Sequence, residues 1–166
     1  MTHSIVDCTL EEHGAPILAI LNEAIENSTA VWDLDPRSAD SMVGWFSSKV
    51  AGNFPVVGII ENDELVAFGT YGTFRAWPGY RLTVEHSVYA RADQRGKGYG
   101  KIIMNELIAR AKQQGMHAII GGIEATNTGS IVLHEKLGFT HVGTLPQVGR
   151  KFDRWLDLAF YELILD

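Results

Sequence analysis

Residues 84–108 read VEHSVYARADQRGKGYGKIIMNELI. The stretch opens as a strand, and it closes with Ile103, Met104, Leu107 and Ile108 at helical spacing. Between the two, Gly96, Gly98 and Gly100 alternate with Lys97 and Tyr99, just after Arg95. A helix N-terminus carries unpaired N–H groups and a partial positive charge, so it attracts anions. Glycines let successive N–H groups curl into a concave nest around such an anion. The two common phosphate loops fit badly. A P-loop needs GxxxxGK followed by Ser or Thr, and a dinucleotide fingerprint needs GxGxxG, whereas this loop is GxGxG.

Composition narrows the partners. A chain of 166 residues is the size of one domain, and 46% apolar with 20% charged residues is ordinary for a globular protein. A formal charge of -6 argues against nucleic acid, which normally needs a basic face. The single cysteine, Cys8, excludes an internal disulfide and any multi-cysteine metal site. His3, His13, His117 and His141 form no metal spacing and read as structural, so no metal is expected. MTHSIVDCTLEEHG lacks the basic start and apolar core of a secretory leader, and no apolar run reaches membrane-spanning length. The expectation is a cytoplasmic protein with no membrane partner.

Periodicity orders the rest of the chain. Ser4 to Cys8 reads as a strand, and Thr9 with Glu12 reads as a capping box opening a helix through Ile17, Leu18, Ile20, Leu21 and Ile25. Ser38 or Asp40 caps a second helix through Met42, Trp45 and Phe46. Pro55–Ile60 and Leu65–Thr73 form a hairpin about Asn62-Asp63, and Leu82–Ala90 is the next strand. A helix from Gly100 to Gln114 stops at Gly115; an apolar strand follows over His117–Ile123, then a short helix from Thr128 to Leu137 before Gly138. Strands near Phe139–Gly143 and Trp155–Leu165 end the chain. The order β-α-α-β-β-β-α-β-α-β-β over residues 1–166 is a single α/β domain. Its sheet should be mixed, with helices on both faces.

Arg95-Gly-Lys-Gly98-Tyr-Gly100, set between strand and helix, resembles the R/Q-x-x-G-x-G/A signature of the GNAT N-acetyltransferase superfamily. Four further motifs are similar to its phosphinothricin and methionine sulfone (sulfoximine) acetyltransferase-like subgroup. They are Asn22-x-x-Ile25-x-x-Ser28-Thr-Ala30, Val84-Glu85 before Ser87-Val88-Tyr89, His134-Glu-x-Leu-Gly138-Phe139, and Gly149-x-Lys151-x-x-x-Trp155-x-Asp157. The resemblance covers nearly the whole chain. It implies the GNAT fold with a mixed, mostly antiparallel central sheet and helices on both faces, acetyl-CoA as co-substrate, a homodimer, and direct transfer of acetyl to the α-amino group of a small amino acid or analogue.

By that resemblance, the backbone of Val88, Tyr89 and Ala90 pairs with the pantetheine arm. Arg95, Gly96, Lys97, Gly98, Tyr99, Gly100 and Lys101 surround the pyrophosphate. Asn127 and Ser130 add contacts from the next strand–helix turn; on residue type alone, Asn127 serves equally as a helix cap. Amine attack on a thioester requires loss of an ammonium proton. Glu85, a carboxylate expected to be partly buried with a raised pKa, is the candidate base; a solvated strand residue is the plain alternative. His134 stands where many superfamily members carry a tyrosine acid, which makes it the second catalytic candidate, with Tyr89 and Tyr161 also open as donors. His86 should face away from Glu85 across the sheet and so reads as more structural, although it is grouped with Glu85 and Ser87 near the substrate. Arg75 or Arg81, with Ala76 and Trp77, either clamp a substrate carboxylate or sit solvated at a hairpin tip. Lys151 and Trp155 are further candidates, reaching across a dimer interface. The alternative functions are acetylation of a protein N-terminus or lysine, which favours an open acidic groove, and a non-catalytic CoA-binding module, which tolerates Glu85→Gln.

Overall fold

A computed structural model describes residues 2–166. Thr9 caps α1 (Leu10–Asn27) by accepting from the Glu12 N–H. The other half of the expected capping box is absent: the Thr9 N–H donates to Nδ1 of His13, not to Glu12. Ser38 caps α2 (Ala39–Ala51) in the same way, accepting from the Ser41 N–H. Asn62 and Asp63, both with positive φ, make the two-residue turn joining β2 (Val56–Glu61) to β3 (Glu64–Thr73). The remaining elements are β1 (His3–Asp7), β4 (Thr83–Ala90), α3 (Tyr99–Gln113), β5 (Ala118–Glu124), α4 (Thr128–Lys136), β6 (Thr140–Lys151) and β7 (Arg154–Ile164).

The seven strands lie in the order β1-β2-β3-β4-β5-β7-β6, and β4 against β5 is the single parallel pair among the described residues. Helices cover both faces. Ile103, Met104, Leu107 and Ala111 of α3 pack with Val57, Tyr71, Val84 and Ile119, and all are essentially inaccessible. Burying each large apolar side chain there contributes roughly 1.5–3 kcal/mol. On the other face, Ile17, Ile20 and Leu21 of α1 and Met42 and Phe46 of α2 pack on Val56, Leu65 and Phe68.

β6 departs from the sequence reading, running twelve residues where about five were expected. Pro146 and Gly149 look like breakers in the sequence. The strand absorbs them with a register shift between Leu145 and Gly149, where Pro146 owes no ladder hydrogen bond. Gly149 itself is required: a Cβ there would stand 2.4 Å from the Trp32 ring. No helix among the described residues is long and apolar enough to cross a membrane.

Candidate active site

The parallel pairing of β4 and β5 is short, covering Thr83↔Ala118, Val84↔Ile119 and Glu85↔Ile120. Beyond that rung β4 stays on β3 as far as Ala90, while β5 follows β7 as far as Glu124. The sheet therefore forks at Glu85, and from His86 onward β4 has no strand on its β5 side. The fork opens a cleft of about 540 Å³ between β4, the N-terminus of α3, the end of β5 and the first turns of α4. Its walls carry Val88, Tyr89, Ala90, Arg95, Gly96, Gly98, Tyr99, Gly100, Lys101, Asn127 and Ser130.

At one end of the cleft stands the glycine loop. Gly96 and Gly98 have φ of 78° and 85°, the left-handed region that glycine enters at no steric cost, and a Cβ on either would meet no protein atom within 4 Å. Gly98 caps α3 without a side chain, so the first N–H groups of the helix remain open. Lys97 donates to the Gln94 side chain, and Arg95 is paired with Glu23 at 2.6 Å rather than standing free. Asn127 takes the capping role: its Oδ1 accepts from the Ser130 N–H at the start of α4, and the residue stands in the cleft wall.

The alternation of β4 is unbroken, so Glu85, Ser87 and Tyr89 face α1 and α2, while Val84, His86 and Val88 face α3 and α4. Glu85 is half-buried, and burial raises its pKa above the usual carboxylate range. Its Oε2 lies 3.1 Å from the point where Gly122 would carry a Cβ, with the Phe160 ring 3.8 Å from that point. Phe160 packs edge-on against Phe74, so the β3–β4 loop starts beside Glu85. Arg75, Ala76 and Trp77 are exposed on that loop and lie outside the cleft lining, with the Arg75 guanidinium 5.2 Å from the Trp77 ring and 5.8 Å from that of Tyr80. Lys151 is not free for a ligand. It is buried, and its ammonium donates to the carbonyls of Ser28 and Val31 at 2.8 and 2.7 Å, pinning the loop between α1 and α2. Trp155 is exposed beneath Arg150.

On the α4 side the expectation for His134 meets an occupied ring. Its Nδ1 lies 2.7 Å from the Ser130 carbonyl and its Nε2 lies 2.9 Å from Nε2 of His86. Burial lowers both histidine pKa values, that of His86 to about 3. Sequence reasoning missed this pair, and it also missed the need for Gly121 and Gly122. Each glycine vacates the space taken by a side chain of β4: His86 for Gly121, Glu85 for Gly122. Two adjacent glycines inside an apolar strand are the signal that something approaches closely. A larger groove, of about 910 Å³, lies between β1 and α1, but its cation Arg91 is already paired with Glu64 and Asp93.

The chain is similar to known proteins along almost its whole length. The model of the Acetyltransferase (GNAT) family matches residues 17–139. An L-methionine sulfoximine/L-methionine sulfone acetyltransferase of Pseudomonas aeruginosa is 45% identical over 153 residues, covering 90% of this chain and 88% of the relative. A phosphinothricin N-acetyltransferase of Streptomyces coelicolor is 30% identical over 156 residues, covering 92% and 91%. The structure of yncA from Salmonella typhimurium with its cofactor acetyl-CoA matches with a TM-score of 0.96 at 37% identity, over 100% of this chain and 95% of that one. A forked sheet with an uncapped glycine loop at its mouth, together with a family model that spans most of the sequence, means that the chain belongs to the acetyltransferase (GNAT) family.

Proposed function

We propose that the protein moves the acetyl group of acetyl-CoA to the α-amino group of a small amino acid whose side chain ends in a tetrahedral polar head, such as L-methionine sulfone, L-methionine sulfoximine or phosphinothricin. The observation that carries this reading is the fork. It leaves one edge of β4 unpaired beside an anion-ready helix N-terminus and stands a carboxylate, Glu85, at the branch point. The names of the relatives at 45% and 30% identity support the choice of substrate class.

The residues present fit acetyl-CoA. The cradle at Gly96 and Gly98 is open, the first N–H groups of α3 are free, and Lys101 adds charge for a pyrophosphate. The free edge of β4 at Val88–Ala90 offers main-chain groups to the amides of pantetheine, as in strand addition. The Asn127 amide faces it from α4. When bound, acetyl-CoA supplies a thioester carbonyl for the amine to attack. The protein must supply a neutral amine, and Glu85 is the proton acceptor we assign. Burial lifts its pKa above that of a free glutamate, which makes the ionised carboxylate a stronger base. Ser87 stands on the same face of the strand one pleat further on, and Arg75 and Trp77 close the outer side by holding the substrate carboxylate and its apolar stem. The same reading carries the expectation of a cytoplasmic homodimer.

The test is release of CoA thiol from acetyl-CoA across a panel of free amino acids, their sulfone, sulfoximine and phosphinate analogues, and short peptides. Turnover on L-methionine sulfone or phosphinothricin but not on peptides is the expected result. Turnover on peptides alone would move the assignment to a protein N-terminus or lysine, and CoA binding without any turnover would leave only a binding module.

A further inference from the structure

The bonds of the two buried imidazoles fix where their hydrogens are. A carbonyl oxygen only accepts, so the 2.7 Å contact to the Ser130 carbonyl requires a proton on His134 Nδ1. A neutral ring has one N–H, which leaves Nε2 of His134 bare. The 2.9 Å contact between the two Nε2 atoms then needs its hydrogen from His86. The chain of donation is His86 Nε2–H to His134 Nε2, and His134 Nδ1–H to Ser130. The last polar atom, His86 Nδ1, is a bare acceptor, buried and without a partner. Neither ring of the pair has an N–H left for a reacting atom.

We propose that His86 is a positioning residue: its N–H locks His134 into the Nδ1–H tautomer and so makes the pair a neutral pin joining β4 to α4, not a proton donor. The pin matters because α4 carries Asn127 and Ser130 on one wall of the acetyl-CoA cleft while β4 is the other wall. Three further features agree. The two rings stack with centroids 5.0 Å apart, and the Phe139 ring stands edge-on to both. Gly121 has no Cβ because one would lie 2.7 Å from His86 Nε2 and 2.9 Å from His134 Nε2. No anion is bonded to either ring: Tyr71 lies across from His86 on β3, Tyr161 on β7 with His141 of β6 behind it, and Glu124, the carboxylate in the same cleft wall, accepts from Thr126 instead.

The proton balance of acetyl transfer allows this arrangement. An ammonium nitrogen that becomes an amide loses two protons; one ends on the sulfur of CoA, and the other leaves through Glu85 to solvent. No imidazole is needed for the count. This consequence for turnover rests on the acetyltransferase reading, whereas the tautomers do not.

The experiment reads both. Side-chain ¹⁵N NMR of the histidine-labelled protein should find His134 protonated at Nδ1 and His86 at Nε2, with both rings gaining charge only at lower pH than a free histidine does. Calorimetry with acetyl-CoA should show a Kd about tenfold weaker for His86→Phe and His134→Leu, the cost of one buried hydrogen bond. His134→Gln, whose amide oxygen can accept the His86 N–H, should recover most of that loss. In steady state the leucine variant should raise KM for acetyl-CoA more than it lowers kcat. A proton found on His134 Nε2, a ring that titrates at or above the free-histidine value, or a kcat loss in both position-134 variants with unchanged acetyl-CoA affinity would overturn the pin and return His134 to the role of acid. The tautomers and the binding constants are measured without an acceptor substrate, so they stand or fall separately from the choice of amino acid.

Discussion

Glu85 sits on the last rung that β4 shares with β5, and its pH behaviour follows from that position. Burial raises its pKa, so the folded protein holds this proton more tightly than the unfolded chain does. Its contribution to stability is full below the ordinary glutamate value and is lost as pH rises through the folded value. Glu85→Gln should therefore melt at or above the wild-type temperature near pH 8, as thermal denaturation will show; a clear drop would mean that the carboxylate is not desolvated. The base role proposed for Glu85 requires it to be ionised, so kcat/KM should fall as pH drops through a value above the usual carboxylate range, and this acidic limb should vanish in the glutamine variant. The neighbouring loop gives a second test at this scale. Gly98→Ala places a Cβ where it meets no protein atom, yet at φ 85° it costs about 1 kcal/mol of backbone strain. KM for acetyl-CoA should rise by about fivefold, because the free alanine loop relaxes away from φ 85° and binding has to restore that conformation at this cost. Unchanged kinetics would remove the loop from cofactor binding.

Among the elements, the hairpin of β6 and β7 has a task that local sequence hides. Lys151 lies 120 or more residues from the carbonyls it holds, so no periodicity could have revealed the clasp. Its chemistry as a long cation in a Gly-x-Lys-x-x-x-Trp motif suggested a ligand contact instead. Lys151→Met keeps the stem but leaves two carbonyls unpaired. The expected loss is roughly 2 kcal/mol, several degrees in Tm for a chain of this size, with faster hydrogen exchange over residues 28–31. The extent of β6 was illegible for a related reason: the register shift around Pro146 and the Trp32 ring that fills the space beside Gly149 are set by distant parts of the chain. By contrast α3 was legible to within one residue at each end, because Ile103, Met104, Leu107 and Ala111 mark its buried face and Gly115, at φ 75°, ends it. The His86–His134 pin joins residues 48 apart, and only Gly121, a Cβ missing from an apolar strand, hinted that something large lay across it.

For the molecule as a whole, element order was enough to reach a mixed sheet with helices on both faces, and the family resemblance added that it is mostly antiparallel. The fork was not readable, since it depends on how many rungs β4 and β5 share. The surface carries a further expectation. β6 and β7 expose Val142, Leu145, Val148 and Trp155, and a homodimer would cover apolar side chains of this kind. Light scattering should give a mass twice 18.3 kDa, and a monomer at micromolar concentration would set the dimer aside. The claim on which the rest depends is amine acetylation at the fork with Glu85 as the proton acceptor. Initial rates of thiol release with acetyl-CoA and L-methionine sulfone, compared between the wild type and Glu85→Gln, test it most directly. The account predicts saturable wild-type turnover and a loss of about 10²–10⁴-fold in kcat for the variant, with KM for acetyl-CoA little changed. Equal rates in the two proteins, or no wild-type turnover on any small amino acid, would contradict it.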